Sequence, residues 1–337
     1  MMTTESGTTI ERRHSGLSHF FSVWNLGVLL VLLLLFFSVL KGNTFLTAFT
    51  FQSIANSRSI NALAALAVMI PLAANNYDLS VASTLGMTQV LANGLQTQQG
   101  MHWINAVMLC LLLGLVVGLV NGLLVTRARI NSFIATLGMG TLLLGLNQWY
   151  TGGMQVVGVL PREFTALAGK IPHTGLPIAL VYLLVIAVIL WIVFDYLPLG
   201  RYLYVIGDSP RAAELTGIST AAYVTLAFVA SGLIAAFAGV VLQAQLQVGQ
   251  STVGQELMLP AFTGALLGAI AVRPGRPNVW GTILAVAVLA VAVAGLTQLG
   301  APFFVENLFN GLMLVLAVGL AGFTDRRRQR RSVTAAR

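Results

Sequence analysis

The sequence predicts an all-α polytopic membrane protein of about ten transmembrane helices with cytoplasmic N- and C-termini. Three observations carry that expectation. Charge is scarce: 57% of the 337 residues are hydrophobic and 8% are charged, whereas an ordinary soluble domain is about a quarter charged. Apolar runs recur along the chain at spanning length, which is about 20 residues for a helix crossing the hydrocarbon core. The basic residues gather at the ends of these runs, mostly on one side of the predicted bundle. A net charge of +8 therefore reads as an orientation signal, and no nucleic acid partner is expected.

Taken in order, residues 1–23 form a polar, cytoplasmic N-terminal tail. Arg12 and Arg13 precede the apolar run from Trp24 to Leu40, and "SVLKGNTF" follows without a small-x-small cleavage pattern. That run is expected to remain as the first span. The remaining spans are expected at 60–75, 78–95, 103–125, 132–150, 177–196, 221–247, 258–272, 277–299 and 303–323, the second and eighth being short. Residues 24–323 thus make one transmembrane domain. Helices are the economical solution, because backbone groups in lipid must find partners within the segment. With the N-terminus inside, fourteen of the 18 Lys and Arg fall on inner segments, and Lys41, Arg58, Arg162 and Lys170 fall outside. That bias favours an even number of spans. Residues 324–337 form a basic cytoplasmic tail suited to anionic lipid head groups. The loop 151–176, punctuated by Gly and Pro, is the longest outer segment.

Small residues spaced by four, Gly114, Gly118 and Gly122 in "GLVVGLVNG" and Gly264 and Gly268 in "GALLG", predict close helix packing. Ser231, Gly232, Ala235, Ala236 and Gly239 form a similar ridge. Cys110 reads as a small buried apolar side chain, and the four His show no metal-ligand spacing.

The run "IPLAANNYDLSVASTLG" interrupts this apolar pattern. Asp78 is placed to cap a helix starting at "LSVAS", and Asn75 and Asn76 to take up backbone groups left by the preceding helix. Such a break is tolerated at membrane depth where it faces protein or a watery cavity. Two readings stand: a helix break that caps itself, and a part of a solute pathway. Its depth is open. Polar side chains elsewhere on spans include Ser80, Asn93, Asn121, Asn147, Gln148, Gln243, Gln245 and Gln247, with Trp149 and Phe262 as apolar surfaces. Each could line a pathway or hydrogen-bond between helices. The tentative pathway set is Asn75, Asn76, Asp78, Ser80, Asn121, Asn147, Gln148 and Gln243.

The longest inner loop, 199–220, carries its own helix signal. Asp208 or Ser209 can cap, Pro210 suits the first turn, "RAAEL" follows and Gly217 suits the stop, giving about two turns. Taken alone, this is a capped surface loop joining two spans. The chain has no G-x-x-x-x-G-K-[ST] run to cradle phosphates. An ion-driven carrier would need ionisable relays in mid-span, and of the ten acids only Asp78 is expected to lie deep. No nucleophile–base pair points to an enzyme.

Three motifs, in order, carry a resemblance: "DLSVAS", "NGLLVTRARINSFIATLGMGTLLLG" and "GRYLYVIGDSPRAAELTGI". Together they resemble the permease family of bacterial ABC importers for ribose and related monosaccharides, within the branched-chain amino acid/ribose permease superfamily. The similarity runs from about residue 45 to 323. It implies a subunit of the bacterial cytoplasmic (inner) membrane that imports a monosaccharide or related polyol by alternating access. It also implies partners: ATP-binding cassette subunits, a periplasmic or extracellular solute-binding protein, and a second permease copy or a homologue. ATP and magnesium would sit on the partner subunits, with no cofactor on this chain. The inner loop would dock on the ATP-hydrolysing subunit, making Arg201, Gly207, Asp208, Arg211, Ala212, Ala213, Glu214, Gly217 and Ile218 the coupling candidates. The alternatives are an ion-coupled carrier using Asp78, or a permease for a nucleoside or branched-chain amino acid. Two departures from the family pattern are Ala82, where Gly is usual, and the stiff basic turn Arg273, Pro274, Arg276, Pro277 in place of paired glycines.

Overall fold

Each long apolar run folds into a helix, which satisfies every backbone group without water. The computed structural model describes residues 16–317 and 319. Ten longer helices are seen among them: α1 (Gly16–Lys41), α2 (Ala48–Ala73), α3 (Ser80–Thr97), α4 (Trp103–Thr126), α5 (Ser132–Thr151), α7 (Ile178–Asp195), α10 (Thr220–Leu246), α11 (Val253–Gly268), α12 (Val279–Gln298) and α13 (Phe304–Ala317). Three shorter ones join them: α6 (Arg162–Thr165), α8 (Pro198–Asp208) and α9 (Pro210–Leu215). Five helices, α2, α4, α7, α10 and α12, are long and apolar enough to cross a membrane by length and composition. The tail residues 1–15, the basic tail 324–337 and the end of the tenth expected run lie outside the described residues.

Two expected boundaries are corrected. The second span was expected at 60–75, but α2 begins at Ala48, where the Thr47 side chain accepts from Thr50 N at 3.1 Å. Its polar first half is accommodated by partners, among them Arg58, paired with Glu306 of α13 at 2.6 Å. The eighth span was expected at 258–272, yet α11 ends at Gly268. The next residues turn sharply. Val272 and Gly275 take left-handed φ values of 60° and 85°, and Pro274 and Pro277 lack the N–H that a helix would need.

The core is built on α2. Every residue from Ser59 to Ala74 is buried, and α7, α10, α11 and α12 all pack against it. A run as Ala-rich as "NALAALAV" lets these neighbours approach closely. Around this centre the outward faces are apolar: Leu35 and Phe36 of α1, Leu112 of α4, Ile189 of α7 and Val315 of α13 are all exposed. A soluble protein hides such residues; here they form the lipid-facing belt of a multi-pass membrane protein. The predicted glycine ridge meets α10. A methyl group at Gly118 would run into the Phe228 carbonyl, and one at Gly114 into that of Gly232. Gly268 of α11 approaches Thr282 of α12 in the same way.

The two ends of the bundle differ. At one, a two-residue antiparallel pair joins β1 (Val156–Val157) to β2 (Val248–Gly249), tying the 151–176 loop to the α10–α11 connection. At the other lie α8 and α9. The helix α8 was not foreseen: within the 199–220 loop a helix was expected only from Asp208 or Ser209 onward, and Gly200 and Gly207 lie inside α8. Both sit where α8 touches backbone: a Cβ on Gly200 would strike Phe194, and one on Gly207 the Ala73 carbonyl. Positions 200, 203, 204 and 207 share the face turned to the bundle, as i, i+3, i+4, i+7 spacing requires.

Candidate functional site

The break at residues 74–79 resolves into a buried polar seam. Asn75 takes a left-handed φ of 55°, and the Asn76 amide donates to the Ala74 carbonyl at 2.8 Å. The break is stitched to α5: Tyr77 N donates to Ser132 Oγ at 3.1 Å, Leu79 N to Thr136 Oγ1 at 3.0 Å. Asp78 is 1% exposed. It lies one residue before the cap position, which Leu79 occupies, and still takes up a free backbone amide at the start of α3, as expected. Its Oδ1 accepts from Ser80 N at 3.1 Å and from Ser80 Oγ at 2.6 Å, and its Oδ2 accepts from Ser231 Oγ of α10 at 2.8 Å. Asn121 of α4 donates to Ser80 Oγ at 2.8 Å. The carboxylate is therefore fully engaged by donors from α3 and α10. A buried charge needs that many partners to be tolerated.

Ser231 lies eleven residues into α10, about 16 Å from its start at 1.5 Å per residue. The seam is thus well inside the bundle, while Asn75 is exposed at its mouth. There Asn75 lines a cavity of about 420 Å³ with Tyr204, Gly207, Asp208, Arg276 and Pro277.

The other pathway candidates do not join this seam. Gln243 lies near the opposite end, where its amide meets Gln89 Nε2 at 2.6 Å. Gln89 in turn holds the α10–α11 connection, donating to Val248 O at 2.6 Å and accepting from Gln250 N at 3.1 Å. Asn147 of α5 donates to Ser251 O in the same connection at 3.2 Å. Gln148 is exposed on the outer face of α5 beside Trp149, which is 80% exposed. Gly138, Thr141 and Gly145 continue that face, with no atom within 4 Å of a Cβ built on either glycine. Eight candidates thus sort into a seam, a second polar tie and one uncovered helix face.

The coupling candidates lie along α8, α9 and the turn that follows α9. Ser209 caps α9, accepting from Ala212 N at 3.4 Å, and Pro210 occupies the first turn. Asp208, the other expected cap, ends α8 instead and pairs with Arg276 at 3.1 Å. Gly217, at φ 84°, stops the helix, and Ile218 N donates to Ala213 O at 3.0 Å. Glu214 accepts from Thr220 Oγ1 at 2.8 Å, bracing α9 on the start of α10. Ala213 is fully buried, whereas Arg201, Arg211, Ala212 and Glu214 face outward.

Sequence reasoning missed Leu215, which is 89% exposed. The signal was present: in a helix whose buried position is 213, a residue two along points to the opposite side. It also missed Tyr204, whose hydroxyl donates to Pro277 O at 2.6 Å beneath the Arg276 guanidinium, 5.5 Å above its ring. Burial pushes the Tyr204 phenol up to about 12, with Arg273 lowering it, Asp195 raising it and Arg276 lowering it by smaller amounts. The phenol therefore stays a donor at neutral pH.

With this geometry in view, comparison with known proteins is specific. The family model described as branched-chain amino acid transport system / permease component matches residues 50–318. The chain is 30% identical to the ribose import permease protein RbsC of Bacillus subtilis (strain 168), over 86% of its own length and 89% of that protein's. It is 32% identical to the autoinducer 2 import system permease protein LsrD of Klebsiella pneumoniae subsp. pneumoniae, over 76% and 78%. It is 27% identical to the fructose import permease protein FrcC of Rhizobium meliloti, over 87% and 83%. No solved structure matches the chain.

Proposed function

Because the chain belongs to the branched-chain amino acid transport system / permease component family, we propose that it is the permease subunit of an ATP-driven importer for a monosaccharide or related sugar or polyol. Ten spans carry both termini on the cytoplasmic side of a bacterial inner membrane. The α8–α9 end faces the cytoplasm, and the β1–β2 end receives a solute-binding protein. ATP and magnesium are held by separate ATP-binding cassette subunits, which move this chain between inward- and outward-open forms. A second copy, or a homologue, packs on the uncovered face of α5, where Thr141 and Gln148 offer hydroxyl and amide groups to a neutral, hydroxylated solute.

The observation that carries this reading is Leu215. A large apolar side chain, 89% exposed at the tip of a capped helix and bordered by Arg211 and Glu214, suits burial in a partner's cleft. Lipid is a poorer match, since the same short helix exposes the charged Arg211 and Glu214 next to the leucine.

The test is a Leu215→Glu variant in the complete transporter. It inserts normally, co-purifies with the ATP-hydrolysing subunits about tenfold less well, and loses uptake of labelled sugar in proportion, as expected for a buried apolar anchor. Unchanged co-purification and uptake would overturn the docking role of α9.

A further inference from the structure

The turn between α11 and α12 faces the coupling element. Its backbone is held rigid by Asn278, which is buried. The Asn278 amide donates to the carbonyls of Gly268, Ala271 and Arg276 at 3.0–3.2 Å, while its Oδ1 accepts from Gly281 N at 2.8 Å and caps α12. The end of α11, the turn and the start of α12 are thereby one piece. From it two guanidiniums and a carbonyl reach across. Arg273 pairs with Asp195, the last residue of α7. Arg276 pairs with Asp208, the last residue of α8, and covers the Tyr204 ring. The Pro277 carbonyl accepts the Tyr204 hydroxyl. These contacts flank α8 at both ends, beside the 420 Å³ cavity.

We propose that the Arg273–Pro277 turn is a transmission link: displacement of α8 and α9 is passed to α11 and α12 directly through the Asp208–Arg276 pair and, by way of the α7 end that leads into α8, through the Asp195–Arg273 pair. The link rests on the reading of α9 as the docked lever. Arg273 and Arg276 are positioning residues here, acting through the helices they hold. Arg276 and Asp208 are both exposed, so that pair adds little to folding, whereas Arg273 is half exposed over a largely covered Asp195. The value of both pairs lies in direction: Arg276 resists separation of the end of α8 from the turn, and Arg273 resists separation of the end of α7, which leads into α8, from the same turn.

The experiment is hydrogen exchange on the complete transporter, co-purified with its ATP-hydrolysing subunits, with and without magnesium-ATP trapped by vanadate. In the unaltered protein, trapping changes exchange both in peptides covering 208–218 and in peptides covering 253–298. In Arg273→Gln/Arg276→Gln the change at 208–218 persists, and the change at 253–298 falls about fivefold or more, within the range expected for residues on a coupling route. Exchanging the charges of the Asp195–Arg273 pair (Asp195→Arg with Arg273→Asp) restores at least half of the lost response relative to Arg273→Asp alone. The thermal midpoint of Arg273→Gln/Arg276→Gln stays within a few degrees of that of the unaltered protein. A full response at 253–298 in the double Gln variant would overturn the link while leaving α9 as the docking element. No response at 208–218 in the unaltered protein would overturn the docking reading and the link with it.

Discussion

Asp78 shows how a charge is kept inside a membrane protein: its three donors come from a backbone amide and two serine hydroxyls. Asp78→Ala strands those donors in a buried seam, and each unsatisfied buried group costs about 1–3 kcal/mol. A clear fall in thermal midpoint in detergent is expected. Asp78→Asn keeps an acceptor for Ser80 and turns an amide towards Ser231, so it should cost under about 1 kcal/mol and leave ATP-driven uptake running. An ion-coupled carrier would instead lose transport in that variant. The break itself was legible, because Asn, Asn, Tyr and Asp in an apolar run have few other uses. Ser231, 153 residues away, was not, since nothing in a local pattern marks a partner on another helix. At Tyr204 the sign of the pH effect follows from a phenol at 10 when unperturbed and about 12 when folded. Its stabilising contribution is complete below pH 10 and is lost as pH rises through 12. Unfolding followed from pH 9 to 12 should show a smaller alkaline loss in Tyr204→Phe than in the unaltered protein, with a lower midpoint at pH 7 from the orphaned Pro277 carbonyl.

Among the elements, the α4–α10 pair was written in the sequence as spacing alone. Gly114, Gly118 and Gly122 announced a close contact without naming the partner, which only the fold supplies. Gly118→Ala forces a methyl group against the Phe228 carbonyl and should cost about 1–3 kcal/mol, as overpacking does, read as a lowered thermal midpoint. The helix α8 was illegible for a related reason: Gly200 and Gly207 are places of backbone approach, and the backbone each one meets belongs to another part of the chain. The start of α2 was missed because polar residues there are paid for by partners distant in sequence, such as Glu306 for Arg58. The α9 helix, by contrast, was readable almost residue by residue. Cap, Pro and Gly stop are local signals, and local signals survive in a single sequence.

For the whole molecule, each described ion pair joins residues assigned by sequence to the same side: Arg58 with Glu306, Arg273 with Asp195 and Arg276 with Asp208. The basic bias and the fold therefore agree on which helix ends lie together. The uncovered face of α5 belongs to this scale too. Gly145→Leu meets open space within one chain, so the isolated subunit should keep its thermal midpoint. If a second copy packs there, the same change should lower the yield of the paired form in size-exclusion chromatography. An unaltered paired form would place the second subunit elsewhere. The central claim is that this bundle is a gate driven from its α9 end by another polypeptide. A photo-crosslinking amino acid at position 215 in living cells tests it most directly, with position 159, exposed on the 151–176 loop, as the control. The account predicts a covalent adduct from 215, identified by mass spectrometry as a polypeptide with a phosphate-binding loop, and none of that polypeptide from 159. Capture of that subunit from 159, or of a secreted protein from 215, would contradict it.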